Sequence, residues 1–359
     1  MENHSGLVDN FRDFKADPRA ISNSLRPVLP VAKQKHIVLK TGDSVVFDTW
    51  LLNDTDRPVT GKLTLTLTSP DGRTSQIAQY DAPAFRKDQL SYLLQENVTT
   101  PVLASAGTWL ARFTLSGHPE VTHEVSLLVV DPAPSSLRPL RVGTTQLSSQ
   151  VEQTLKKITG ITVEPLVEGA SYDVLIGSGG SAEASKNLAV DAEGAYKPGA
   201  GPLKEFTLPE GVLAAIRAGT PLLAITPTDG QSIGVAKQLA ALGAFEFHGM
   251  VGASRASWMG SWYFIRKHPL YDGMPADQAM SIHYQVKGGG SNGWMIEGPS
   301  VEIPCAYARD HDRNIGAGTL TTRVGNTPIV LHRIADMHPV LLQRFIANAL
   351  AWLTTKRTA

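Results

Sequence analysis

Lys62–Thr68 reads KLTLTLT, with Leu63, Leu65 and Leu67 alternating strictly against Thr64, Thr66 and Thr68. A period of two puts the leucines on one face of a strand and the threonines on the other, the pattern of a strand half-buried on a core. The same texture continues on both sides. KHIVLK (35–40), DSVVFDTWLLN (43–53), LSYLLQENV (90–98), GTWLARFTLSG (107–117) and THEVSLLVVD (122–131) are short runs rich in Val, Leu, Thr and aromatics. Turn-forming clusters separate them: Thr41-Gly42-Asp43, Asn53–Asp56, Pro70-Asp71-Gly72, Ala106-Gly107 and Gly117-His118-Pro119. Roughly seven short strands at this spacing predict an immunoglobulin-like β-sandwich over 33–131.

Upstream, residues 1–32 have a different character and form a leader ending in RPVLPV, where Pro27 and Pro30 favour an extended connector over a helix. Downstream, DPAPSSLRP (131–139) is a Pro/Ser linker, so 132–139 marks the boundary with a second domain. From residue 140 to 359 strands and helices alternate. LRVGTT, ITVEPLV, YDVLIGS, PLLAITP and TPIVLHRI read as strands. SSQVEQTLKKITG, LPEGVLAAIRAG, GQSIGVAKQLAALG and HPVLLQRFIANALAWLTTK read as helices, the first three closed by Gly160, Gly219 and Gly243. Alternation of this kind predicts an α/β domain with a mostly parallel sheet, in a flavodoxin-like or amidotransferase-like layout. Residues 245–325 interrupt it with aromatic- and glycine-rich sequence.

The 359 residues are comfortable for two domains, and 42% hydrophobic residues supply their cores. Lys+Arg and Asp+Glu are both 33. Nucleic-acid binding draws on a basic excess, so nucleic acid is not an expected partner. Cys305 is the single cysteine, which excludes an internal disulfide and a Cys-based zinc site. No apolar run approaches the ~20 residues of a membrane span, and the first thirty residues contain no signal-peptide core.

Chemistry has few footholds. GGSNG (289–293) matches G-x-S-x-G around Ser291, but it sits in a glycine run before extended sequence, where a nucleophile elbow needs a strand before and a helix after. Cys305, in VEIPCAYAR, lacks the glycines of such a turn and reads as a small buried hydrophobe. IGSGGS (176–181) follows a strand but lacks a full dinucleotide fingerprint or a P-loop, and reads as a turn. His311 between two aspartates, and His332, Asp336 and His338, read as ion pairs and caps more than as metal ligands. No metal or cofactor is expected. The densest stretch is Ser257–Gln285, which carries Trp258, Trp262, Tyr263, Phe264, His268, Tyr271, His283 and Tyr284. Such side chains can stack on sugar rings or fill an interface. The candidate ligand-binding set is Trp258, Trp262, His283, Tyr284, Arg309, His311 and His332, with no catalytic residue among them.

GLVDNFRDFKADP (6–18) resembles the segment closing the catalytic barrel of glycoside hydrolase family 2 enzymes, the β-galactosidase, β-glucuronidase and β-mannosidase group; Gly6, Leu7, Val8, Asp9, Arg12 and Lys15 carry the likeness. The segment VVFDTWLLNDTDRPVTGKLTLTLTSPDG is similar to the β-sandwich that follows the barrel in that family. SWYFIRKHPLYDGMP and VLHRIADMHPVLLQRFIANALAWL resemble a C-terminal class I glutamine amidotransferase-like α/β domain of some bacterial members. The resemblance implies a catalytic Asn-Glu pair, which is absent from this sequence, and a barrel of ~250 residues, for which there is no room. It also implies an amidotransferase cysteine at a strand–helix elbow, where this chain has Thr226 and Pro227. The expectation is therefore a non-catalytic C-terminal portion of a family 2-like glycosidase, supporting or oligomerising the barrel and lining a sugar site. Its partners would be that barrel, in the same or a separate chain, or a second copy, with carbohydrate as ligand. The compartment would be periplasmic or extracellular if the glycosidase is exported. A stand-alone carbohydrate-binding module and an autonomous α/β hydrolase, using Ser291 or the groups near His311 and His332, are the alternatives.

Overall fold

A computed structural model of the chain describes residues 17–134, 137–180, 204–251, 261–280, 282–286, 293–309 and 315–357. It divides into two compact units, the first ending at Val130 and the second beginning at Asp131.

The first unit opens with a short helix, α1 (Pro18–Ser24). Eight strands follow: β1 (Val28–Gln34), β2 (Val38–Lys40), β3 (Val46–Asn53), β4 (Lys62–Thr68), β5 (Thr74–Asp81), β6 (Ser91–Thr99), β7 (Gly107–Leu115) and β8 (His118–Val130). They form two sheets, ordered β1-β3-β6 and β2-β8-β7-β4-β5. The alternation in β4 does what its period requires: Leu63, Leu65 and Leu67 are buried while the threonines between them are half-buried. They pack with Phe47, Leu51, Phe113 and Leu127 in one core. Each such side chain contributes about 1.5–3 kcal/mol by leaving water.

Strand β1 takes in residues that the sequence assigns to the leader. Pro30 lies opposite Leu51 within it, and Leu29 and Ala32 are buried. It is an edge strand, where the N–H that proline lacks has no ladder partner to disappoint. The leader's first sixteen residues lie outside the described ones.

The second unit runs β9 (Leu140–Thr145), α2 (Ser149–Leu155), β10 (Ile161–Pro165), β11 (Val174–Gly177), α3 (Glu210–Arg217), β12 (Leu222–Ile225), α4 (Asp229–Ala241), β13 (Glu246–Val251), β14 (Ser261–Ile265), β15 (Gln278–Ala279), β16 (Gly293–Glu297), β17 (Glu302–Arg309), β18 (Gly316–Val324), β19 (Thr327–His332) and α5 (Pro339–Arg357). Ser148 caps α2 through its hydroxyl, and Thr228 with Gln231 forms a capping box on α4. The strands make one sheet of 11, ordered β10-β9-β11-β12-β19-β18-β17-β14-β15, with β16 bridging β13 and β18.

Pairing is parallel from β10 to β19 and antiparallel beyond. The sheet is thus mixed, which corrects the expectation of a mostly parallel one. The cause is the 245–325 region, which turns back on itself as β13–β18. Its glycines permit the close approach: a Cβ on Gly293 or Gly316 would lie 2.9 Å or less from the other's backbone. Helix α5 is buried on several sides through Leu341, Leu342, Phe345, Ile346, Ala349 and Leu353. Among the described residues no helix is long and apolar enough to cross a membrane.

Candidate functional site

Three of the side chains singled out from the sequence, His332, Cys305 and Tyr284, lie in one buried cluster around Tyr271. His332 ends β19, pairs with Thr319 of β18 across the ladder, and has no exposed surface. Its Nε2–H donates to the Ile334 carbonyl at 3.1 Å, so Nδ1 accepts from the Thr319 hydroxyl at 2.8 Å. Thr319 having spent its proton, it accepts in turn from the Tyr271 hydroxyl at 2.8 Å. The imidazole stacks on Phe345 at 3.9 Å between ring centroids. Burial pushes the His332 pKa down to about 3, with the Ile334 hydrogen bond opposing. Cys305 lies beside Tyr271, fully buried, and burial pushes its thiol up from the usual value. Tyr284 is also fully buried, with its hydroxyl donating to the Pro275 carbonyl at 2.5 Å. Chain and hydrogen-bond inventory are closed here. These groups hold β17, β18, β19 and α5 together, and none of them is more than 1% exposed.

A cleft of about 940 Å³ lies on the second unit, lined by His268, Asp272, Glu302, Arg323, Trp352 and Lys356 among others. His268 caps the 3-10 turn Pro269–Tyr271: its Nδ1 accepts from the Leu270 N–H at 3.2 Å. Nε2 therefore carries the proton and faces the Glu302 carboxylate at 3.4 Å. Burial lowers its pKa, opposed by the Glu302 charge. With both ring nitrogens engaged, His268 has no lone pair to offer as a base. Among the described residues no group of three or more His, Cys, Asp or Glu can hold a metal.

Trp262 has a different setting. On β14, Tyr263 and Ile265 point inward while Trp262 and Phe264 point out, 48% and 45% exposed. Alternate residues of a strand are about 6.7 Å apart, so the two side chains leave the same face as neighbours. Their cross-strand neighbours are small: Ala308 opposite Trp262, and Ala306 and Ala279 flanking Phe264. On the inner face the Tyr263 ring packs against Gly318, where a Cβ would come within 2.5 Å of it. The strand is held from within, and its outward aromatics form an exposed apolar shelf. Of the other residues expected to bind ligand, His283 is half-buried with a partner of its own. Trp258, His311 and the Arg309 side chain lie outside the described residues, as does Ser291.

A second polar locus sits at the carboxyl ends of the parallel strands. Arg333 follows β19 directly, and its side chain is 1% exposed. One amino group donates to Asp229, the first residue of α4, at 2.8 Å. The guanidinium lies over the Trp294 ring at 5.7 Å, and the Trp294 indole N–H donates to the Ser232 carbonyl at 3.1 Å. Nε and Nη1 of Arg333 have no hydrogen-bond partner among the described residues, and neither does the buried Ser178 hydroxyl after β11. Leaving such a group unsatisfied costs about 1–3 kcal/mol, more when it is charged. The glycines around Ser178 are accounted for by packing: a Cβ on Gly179 or Gly180 would strike Val235 or Phe206. The sequence reading names Phe264 in the aromatic stretch but not in the candidate ligand-binding set, and it does not single out Arg333; the usable signals are the period-two partner of Trp262 and the carboxyl end of the last parallel strand.

No family model matches the chain, and no curated protein matches it. Among solved structures it is similar to a β-glucosidase from Listeria innocua in complex with glucose, at 12% identity and a TM-score of 0.19, over 28% of this chain and 16% of that one. It is also similar to a Paenibacillus sp. cycloisomaltooligosaccharide glucanotransferase complexed with cycloisomaltoheptaose, at 12% identity and a TM-score of 0.22, over 54% of this chain and 27% of that one. The chain thus spans well under a third of the length of either, and likeness at this level does not carry a fold or an activity across.

Proposed function

We propose that this chain is a non-catalytic carbohydrate-binding region serving a glycoside hydrolase of the family 2 type, in the same polypeptide or alongside it. The observation that carries the reading is the exposed pair Trp262 and Phe264 on one face of β14. Two exposed aromatic side chains at strand spacing, with alanines as cross-strand neighbours, suit C–H stacking on successive pyranose rings. The non-catalytic part is supported by the burial of Cys305 and His332 and by the double engagement of His268. The sandwich, read as immunoglobulin-like, and the β10-β9-β11-β12-β19 order, read as amidotransferase-like, agree with the resemblance of the sequence to the region after a family 2 barrel.

The test is affinity electrophoresis and tryptophan fluorescence of the whole chain with gluco-, galacto-, manno- and glucurono-configured oligosaccharides. Binding to at least one is expected, weakened roughly two- to tenfold by Trp262→Ala or by Phe264→Ala. Binding unchanged in both variants, or no binding to any sugar, sinks the proposal. So does nitrophenyl glycoside turnover by the chain that a single carboxylate substitution abolishes.

A further inference from the structure

We propose that the carboxyl ends of the parallel strands hold a second site, for a ligand bearing a single carboxylate group, with Arg333 as its anchor. A guanidinium carries five N–H donors in a planar fork. The Asp229 contact uses one, through Nη2. The donors on Nε and Nη1 are unspent among the described residues, in a side chain 1% exposed. A buried cation with unspent donors is the arrangement that an oxyanion completes.

Three further features point the same way. The site lies at the N-terminus of α4, a helix of 13 residues, whose dipole places partial positive charge there. It also lies where the carboxyl ends of β11, β12 and β19 meet: Thr226 N–H donates to the His332 carbonyl, and Gln231 reaches back to the Gly180 carbonyl at 2.8 Å. That end of an open α/β sheet is where ligands collect. Finally, Asp229 is 22% exposed while Arg333 behind it is 1% exposed, so the guanidinium lies one side chain beneath the surface.

Asp229 also sets the charge of the ligand. Its carboxylate neutralises part of the cation, and a second negative charge on the incoming group would face it directly. A carboxylate, planar and singly charged, can take one edge of the guanidinium over the Trp294 ring; a phosphate dianion does not suit a cation already paired with Asp229. This site shares no residue with the aromatic shelf: Arg333 follows β19, Asp229 opens α4 and Trp294 lies on β16, whereas the shelf lies on β14.

The experiment follows the arginine Nε–H signals of the ¹⁵N-labelled full chain at constant ionic strength, with sodium acetate, inorganic phosphate and glucose as probes. One signal, assigned to Arg333 by through-bond correlation, is expected to shift saturably with acetate and less with phosphate. Asp229→Asn should tighten acetate roughly threefold or more, by removing the competing charge. Trp262→Ala should leave the titration unchanged, which separates this site from the sugar reading. In Arg333→Lys, which lacks that reporter, the saturable acetate shift of the Asp229 backbone amide should be lost; should that variant not fold, the assigned wild-type titration and Asp229→Asn decide alone. No saturable shift with acetate, a stronger response to phosphate, or an equal response to glucose overturns the proposal.

Discussion

Acidification should unfold the second unit through His332. Folded, the imidazole is neutral and fully buried, with a pKa held down to about 3; in the unfolded chain it returns to about 6.5. Between those values the unfolded state binds a proton that the folded state refuses. The unfolded state therefore holds more protons, and stability rises with pH across this window. At pH 7 about a quarter of the unfolded chains carry the proton, which costs only about 0.2 kcal/mol. At pH 4 the unfolded imidazole is about 2.5 pH units below its pKa and the folded one is still neutral, which at 1.36 kcal/mol per unit is about 3 kcal/mol of lost stability. Carboxylates also titrate in this range, so the measurement is a difference. Urea unfolding of the wild type and of His332→Asn is followed from pH 7 to pH 4 in the transition that exposes Trp294. Asparagine keeps an acceptor where Nδ1 stands and cannot be protonated in this range, so it is less stable throughout but lacks this part of the acid limb. The wild type should lose about 3 kcal/mol more than the variant between the two pH values. Parallel pH slopes would refute the reasoning, because His332 would then take up its proton in the folded state and the network would be open to water.

Two substitutions probe the same packing from other sides. Thr319→Val keeps the shape but removes the hydroxyl that links Tyr271 to His332; two buried groups lose their partner, and urea unfolding should show about 2–4 kcal/mol of destabilisation with an unchanged m value. Gly234→Ala in α4 would gain about 1 kcal/mol from helix propensity, but the new Cβ would collide with the Phe206 carbonyl, so the midpoint should fall instead of rising.

The strands that sequence could place are those with a buried face and a solvated one. KLTLTLT is β4 because leucine and threonine differ in what they need from water. β5, TSQIAQYD, escaped because it lies at a sheet edge and is mostly exposed, so it carries no apolar period to read. β1 escaped because Pro27 and Pro30 read as breakers, whereas an edge position tolerates the missing donor. Across 245–325 the glycines read as loop. Gly293, Gly316 and Gly318 are instead strand positions at which a Cβ would strike a neighbouring backbone or the Tyr263 ring. A one-dimensional pattern does not distinguish a glycine that frees the chain from one that lets two strands touch.

Site residues pose the same problem in chemical form. His332, Tyr284 and Cys305 are the types that catalysis uses, and they are also types that a core can hold when their polar atoms are satisfied. Only accessibility separates the uses, and it depends on neighbours distant in sequence: the Thr319 hydroxyl for His332, the Pro275 carbonyl for Tyr284. Trp262 was legible as an aromatic, but its exposure follows from the register that sets it opposite Ala308. Arg333 is the reverse case. Nothing local marks it, since one arginine after a strand is ordinary. Its meaning comes from parallel pairing, which brings the end of β19 to the start of α4, and from donors left unspent there. A buried polar group with every bond made is architecture, because adding a ligand would have to break something. A buried cation with bonds still to make is lower in free energy once an anion arrives, and that asymmetry is why Arg333, not His332, is where a ligand is to be sought.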